Sequence, residues 1–329
     1  MSTPLPGRDA SRLVYHPAGH DPFLRGVVDD LRAGRWMSTR TLLAATGQNW
    51  GVRSSRTQVL GAVAARSDVL DHWALEEPDN PDLLVLRARV AVEGAVAAHR
   101  SQSRSAAQLE RAARELSWWA ASALPEDPVP LLCLLTLAPL DGQQRLAAHR
   151  DQAPDALLPP GPWRLFHEAL RRHRSGREVH HRMLRYWFEL KPWAATDFVN
   201  LALLNAPAGS PLLALPLYLS VNQYVRERRK DAVRRQWHLE PHRGRVLTAF
   251  QQWSTTGVPW PVVDLSHLAH ALWAGSLMKE AAVVFDALSP FAAHQPWSQV
   301  ADSPDQGEAF LYNARLHAYV GRAHAATRG

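Results

Sequence analysis

Residues 262–288 read VVDLSHLAHALWAGSLMKEAAVVFDAL, and this stretch decides the fold. Leu265, Leu268, Ala269 and Leu272 recur at spacings of three and four, which lays one apolar stripe along a helix of 3.6 residues per turn. Gly275 and Ser276 interrupt the pattern. Met278, Ala281, Ala282, Phe285 and Leu288 then repeat the stripe on a second helix, and Pro290, which has no amide hydrogen to donate, stops it. Two such helices joined by so short a turn form an antiparallel helical hairpin.

The run from Leu268 to Leu288 resembles a tetratricopeptide-like repeat. Ala269, Leu272, Ala281 and Phe285 stand at the small and large positions through which paired helices of such repeats interlock, although Gly275 comes one residue earlier than in the repeat pattern. The resemblance implies an all-α chain of stacked antiparallel hairpins, a TPR-like α-solenoid whose concave face takes up a peptide or helix of another protein.

Working outward, proline punctuates the rest of the chain. Breaks fall near Pro78–Pro81, Pro125–Pro130, Pro154–Pro162, Pro192, Pro207–Pro211, Pro241, Pro259–Pro261 and Pro290–Pro296, and the intervals between them have helical length and periodicity. A second hairpin is expected from Asn80 to Leu124. Asn80 and Pro81 supply its cap and first-turn proline, Leu84, Ala88, Ala91 and Ala95 its first stripe, and Leu109, Ala112, Ala113, Leu116, Ala120 and Ala123 its second. Residues 23–45 and 52–65 read as shorter helices, and residues 163–174, 178–190, 194–205 and 212–235 as two further pairs. The proline-rich stretch 154–162 is the expected linker, dividing a 1–155 region from a 156–329 region unless both belong to one continuous superhelix. The central block, with His181, Met183, Tyr186, Trp187 and the APAGSPL run at 206–212, resembles a widespread group of helical-repeat proteins from GC-rich bacteria, a likeness that implies the fold and no activity.

The composition is that of a folding globular chain, 46% hydrophobic and 21% charged over 329 residues. The net charge of +6 is carried almost wholly by arginine, since lysine occurs only at Lys191, Lys230 and Lys279. That bias reads as GC-rich codon usage before it reads as a nucleic-acid footprint. The single cysteine, Cys133, sits in an apolar run as a small buried hydrophobe. With no disulfide framework, no apolar signal-peptide core in the first ten residues and no membrane-length apolar stretch, the expected location is the reducing cytoplasm.

Sixteen histidines prompt a search for metal ligands. His238, Glu240 and His242 alternate along a short segment and would converge on a cation if it were extended, but no second ligand pair lies nearby and a solvated helix-entry loop explains them. His267 and His270 are three apart, without the spacing of four and adjacent glutamate of the zincin signature, and read as a polar stripe. No metal, cofactor or catalytic group is assigned. The densest polar and aromatic cluster is His180, His181, Arg185, Tyr186, Trp187, Trp193 and Asp197, the expected site for a ligand or partner. Thirteen tryptophans recur near helix ends, where indoles suit hairpin junctions and binding surfaces alike. The basic run Arg226, Arg228, Arg229, Arg234 and Arg235, continued to Arg245, carries acidic neighbours Glu227 and Asp231 and reads as a solvated helix end.

The leading expectation is a non-catalytic protein-binding or scaffolding module that uses the concave face of a helical array. An enzyme or small-molecule binder with a pocket around His181, Tyr186 and Trp187 is the first alternative. Nucleic-acid binding through Arg226–Arg245 is the second.

Overall fold

The computed structural model describes residues 13–227 and 235–327. The chain is all-α: the described residues form sixteen α-helices and short 3-10 turns, with two isolated bridges and no strand. No described helix is long and apolar enough to cross a membrane. The chain divides into two compact units, residues 21–205 and residues 206–329 with the first 20.

In the 21–205 unit the helices are α1 (Pro22–Arg32), α2 (Met37–Thr46), α3 (Trp50–Ala64), α4 (Val69–Glu76), α5 (Pro81–Arg100), α6 (Ala106–Ala123), α7 (Val129–Leu137), α8 (Trp163–Arg172), α9 (Arg177–Leu190) and α10 (Ala195–Leu204). The expected helix over 23–45 is two helices, because Gly34 takes φ +78° and turns the chain between them. α5 begins where Asn80 and Pro81 place it, with the Asn80 side chain accepting from the amides of Asp82 and Leu83. α7 is apolar all round and every one of its residues is buried, against α5, α6, α8 and α9.

The proline-rich stretch 154–162 lies within this unit instead of dividing it, and the division falls at 205/206. Its prolines bend the chain back onto its own core. Asp151 pairs with Gly161, Leu158 is buried, and Trp163 Nε1 donates to the Pro159 carbonyl at 3.0 Å. Gly161 is required there, since a Cβ would stand 2.6 Å from the Trp187 ring.

Around α7 the unit encloses charge. Arg53 of α3 reaches Asp82 and Asp127 at 2.7 Å each, and Asp127 also accepts from the Val129 amide at the start of α7. Arg89 of α5 grips both oxygens of Glu178 on α9 at 2.6 and 2.7 Å, while Arg182 adds a third contact at 2.8 Å. Burial alone pushes the Glu178 carboxyl upward, and the two guanidiniums overcome it, holding the group down to about 2.

The other unit holds α11 (Leu215–Arg226), α12 (His242–Thr256), α13 (Val262–Ala274), α14 (Met278–Leu288), α15 (Trp297–Val300) and α16 (Gly307–Ala326). The hairpin read from 262–288 is α13 and α14 with those bounds. Its turn works differently from the expectation. Ser276 takes the left-handed conformation at φ +59°, and Gly275 serves packing, since a Cβ there would lie 3.0 Å from the Trp237 carbonyl. α13 is buried at every position from Asp264 to Leu272. Residues 13–20 join this unit through Val14, whose amide donates to the Pro290 carbonyl at 2.9 Å and whose carbonyl accepts from Ala292 at 3.0 Å.

Breaking one side of the enclosed pair leaves a buried charge without its partner. Glu178→Ala is expected to lower unfolding stability by about 3–5 kcal/mol, whereas Arg89→Met with Glu178→Leu recovers most of that loss. Equilibrium denaturation of the three chains, with the slope against denaturant held equal, checks both outcomes.

Candidate functional site

The cluster singled out around Tyr186 and Trp187 is a core. Tyr186 and Trp187 are fully buried, and their rings meet at 4.8 Å, with Trp163 5.5 Å from Trp187. The Tyr186 hydroxyl accepts from Gln144 Nε2. Burial pushes that hydroxyl up to about 12. His180 is buried between Phe166 and Phe198 and donates Nδ1–H to the Gly176 carbonyl at 2.8 Å. His181 and Asp197 are half-buried, and Arg185 pairs with Glu189 at 2.6 Å on the same helix. Trp193 stands apart at 65% exposed. The aromatic side chains expected to line a pocket therefore fill the space between α8, α9 and α10.

The loop that closes over Tyr186 carries a polar chain that short-range patterns do not reveal. Asp141 accepts from His149 Nδ1 at 2.9 Å, Arg114 approaches His149 Nε2 at 3.4 Å, Glu110 holds Arg114 at 2.8 Å, and His99 meets Glu110 at 2.8 Å. Burial, then the Arg114 charge, push His149 below its ordinary value against the pull of Asp141. His149 is thereby the neutral centre of a latch from α5 and α6 to the loop. Its partners lie 8 and 35 residues away, beyond any local motif.

In the other unit His267 and His270, read as a polar stripe, are buried core residues. His267 stacks on Tyr218 at 3.6 Å and donates Nδ1–H to the Val263 carbonyl, and Tyr218 donates to Asp264 at 2.6 Å. His270 sits among Trp237, Trp273 and Trp297. Glu240 accepts from the Gly244 amide at 3.0 Å, which ties it to the first turn of α12. Among the described residues no three His, Cys, Asp or Glu side chains gather as a metal site would need. Of the basic run, Arg226 and Arg235 are exposed, and Arg228, Arg229 and Arg234 lie outside the described residues.

What the structure does leave open is the outer face of α6. The buried face of this helix is Ala113, Ser117, Ala120 and Ala121, turned toward α5 and α7. Of the residues expected to be buried, Leu109, Ala112 and Ala123 are exposed instead, and Leu116 is half-buried at the margin of the core. With Trp119, 62% exposed, they form one line: Leu109, Ala112, Leu116, Trp119 and Ala123, at successive spacings of three, four, three and four. Trp118, 45% exposed, stands beside it. The reason α6 turns this way is steric. Its alanine face is flat enough to lie close along α5, whereas the indoles and leucines would hold the two helices apart. The alternation was visible in the sequence, but which of two apolar stripes faces inward was decided by the fit to α5.

No protein-family model, no curated protein and no solved structure matches the chain.

The buried histidines set the response to acid. Burial, then the neighbouring His267, lower His270 from 6.5 to about 3, so the unfolded chain takes up its proton several pH units before the folded one. Its contribution is full above about 6.5 and is lost as pH falls toward 3. The midpoint of thermal unfolding is expected to drop steadily over that window, and His270→Phe to flatten the slope, which a calorimetric series from pH 7.5 to about 3.5 reads directly.

Proposed function

We propose that this chain is a non-catalytic protein-binding module of tetratricopeptide-like hairpins, and that it holds an amphipathic helix of its partner along the outer face of α6. The observation that carries the reading is the line Leu109, Ala112, Leu116, Trp119 and Ala123. Alternating spacings of three and four are the seam of a left-handed helix pair, in which each apolar knob enters a hole formed by four residues of the facing helix. A stripe that served only the chain's own core would face α5. This one runs along the margin of that packing: Leu116 leans on the core that α6 shares with α5, while Leu109, Ala112, Trp119 and Ala123 are exposed. Exposed tryptophan within such a line is the residue type that dominates interface energetics, because it removes a large flat apolar area from water and loses little side-chain entropy.

The polar edge of the seam supports the same partner. Gln108, Glu115 and Ser122 recur at spacings of seven along one flank, a polar edge with one carboxylate at its centre, as flanking positions of a paired helix are polar. The other flank is Ala113 and Ala120, closed by α5, so a partner helix lies against α6 from one side only.

A displayed library of amphipathic helical peptides, panned on the full chain, is expected to return sequences whose apolar residues alternate at three and four. Trp119→Glu should weaken the selected peptides by about thirtyfold or more, the loss of about 2 kcal/mol that defines a binding hot spot. The circular dichroism and unfolding midpoint should remain those of the parent chain. Binders indifferent to both Trp119→Glu and Leu116→Glu would overturn the assignment.

A further inference from the structure

The second helix with an open apolar face is α16, and its pattern is of another kind. Gly307, Leu311, Ala314 and Ala318 face inward. Gly321 allows close approach, since a Cβ there would meet Met278 of α14 at 2.6 Å. Tyr319 and Arg322 both bond to Asp286 of α14, at 2.9 and 2.6 Å, which fixes the roll of the helix. Outward, Glu308, Tyr312, Leu316, Val320 and His324 are all exposed and stand four residues apart on one row, with Tyr312 49% and Leu316 46% open to solvent.

Rows of side chains four apart are the ridges of an α-helix, and two helices that interlock through these ridges cross at about −50°, the commonest crossing among globular proteins. At that angle the ridges run side by side. If the second helix is the same helix turned around a two-fold axis through Leu316, residues equidistant from Leu316 meet. Tyr312 of one copy then packs on Val320 of the other, the two Leu316 side chains meet at the axis, and Glu308 faces His324. Ala309 and Ala323, exposed beside the ridge at each end, are small enough to let the backbones close. The row is thus complementary to its own reverse in size, in spacing and, with a carboxylate facing an imidazole at each end, in hydrogen bonding, as an isologous interface requires. The α6 line is not self-complementary in this way: Leu109 at one end faces no large residue when the line is reversed, because Ala123 stands at the other.

We infer that α16 is a self-association surface, on which a second copy of this chain docks its own α16 antiparallel about Leu316. The pair buries the tyrosine, leucine and valine that the single chain leaves in water, and the Glu308–His324 contacts at its two ends set the antiparallel direction against a parallel one.

Sedimentation equilibrium of the full chain is expected to show a reversible dimer, with Leu316→Glu raising the dissociation constant at least about tenfold while leaving the unfolding midpoint of dilute protein unchanged. Leu316→Cys should be trapped as a disulfide-linked dimer under mild oxidation, whereas Lys279→Cys, exposed on α14, should not. The parent thiol, Cys133, is fully buried and does not compete. Glu308→Lys should weaken the dimer, and Glu308→Lys with His324→Glu should restore it. A chain that stays monomeric at every accessible concentration overturns the inference. So does a dimer that is indifferent to Leu316→Glu and is not trapped by Leu316→Cys.

Discussion

The ion pair between Arg89 and Glu178 is the interaction on which the 21–205 unit depends. It joins α5 to α9 across 89 residues of chain, and the same guanidinium reaches the Ser54 carbonyl and the Thr57 hydroxyl of α3 at 3.3 and 3.4 Å. Two charges removed from water cost several kcal/mol each, which their attraction offsets only when the geometry is bidentate and the remaining donors are occupied. Arg89 and Glu178 meet the first condition and the second only in part: Arg89 Nη2 also reaches Ser54 and Thr57 and Arg182 adds a donor to Glu178, while the buried Arg89 Nε has no partner among the described residues. An apolar face can slide along its neighbour by a turn with little loss. A buried carboxylate cannot, because every other register leaves it facing hydrocarbon. The pair therefore sets the alignment of α3, α5 and α9 around the apolar α7, and Gly61 is a corollary, since a Cβ there would stand 2.6 Å from the Arg89 Cβ.

This explains how much of the structure could be read in advance. Whatever depends on neighbours in sequence was legible: the Asn80 cap, the hairpin at 262–288, the burial of Cys133 and the proline-bounded helix lengths. Whatever depends on distant partners was not. Arg53 meets Asp127 across 74 residues, and nothing near either marks it for burial. The division at 205/206 escaped because a proline-rich segment looks the same whether it links two bodies or folds back on one. Only the burial of Leu158 and the Trp163 bond to Pro159 distinguish the cases.

The aromatic cluster at His180–Asp197 shows the same division within one helix. Tyr, Trp and His are the residue types of binding surfaces, and equally of cores whose polar tips find partners. The Tyr186 hydroxyl finds Gln144, and the His180 imidazole finds the Gly176 carbonyl in its own helix's approach. With those two tips satisfied the rings pack inward, and Trp187 packs with them although its buried Nε1 has no hydrogen-bond partner among the described residues. Composition alone cannot separate the two outcomes, because Gln144 lies 42 residues from Tyr186 in a loop with no periodic pattern.

The same logic assigns meaning to what stays outside. In each unit one helix, α7 or α13, is enclosed by its neighbours, and the helices around it turn an inward stripe toward the core. α6 and α16 each carry a second. On α6 the second stripe alternates by three and four, which suits a long helix running nearly parallel to it. On α16 it repeats every four, which suits a steep crossing at one point. The two periods match different helix geometries, so the proposed occupants of the two faces differ: a helix that follows the α6 seam lies nearly along it, whereas one that interlocks with the α16 ridge crosses it steeply.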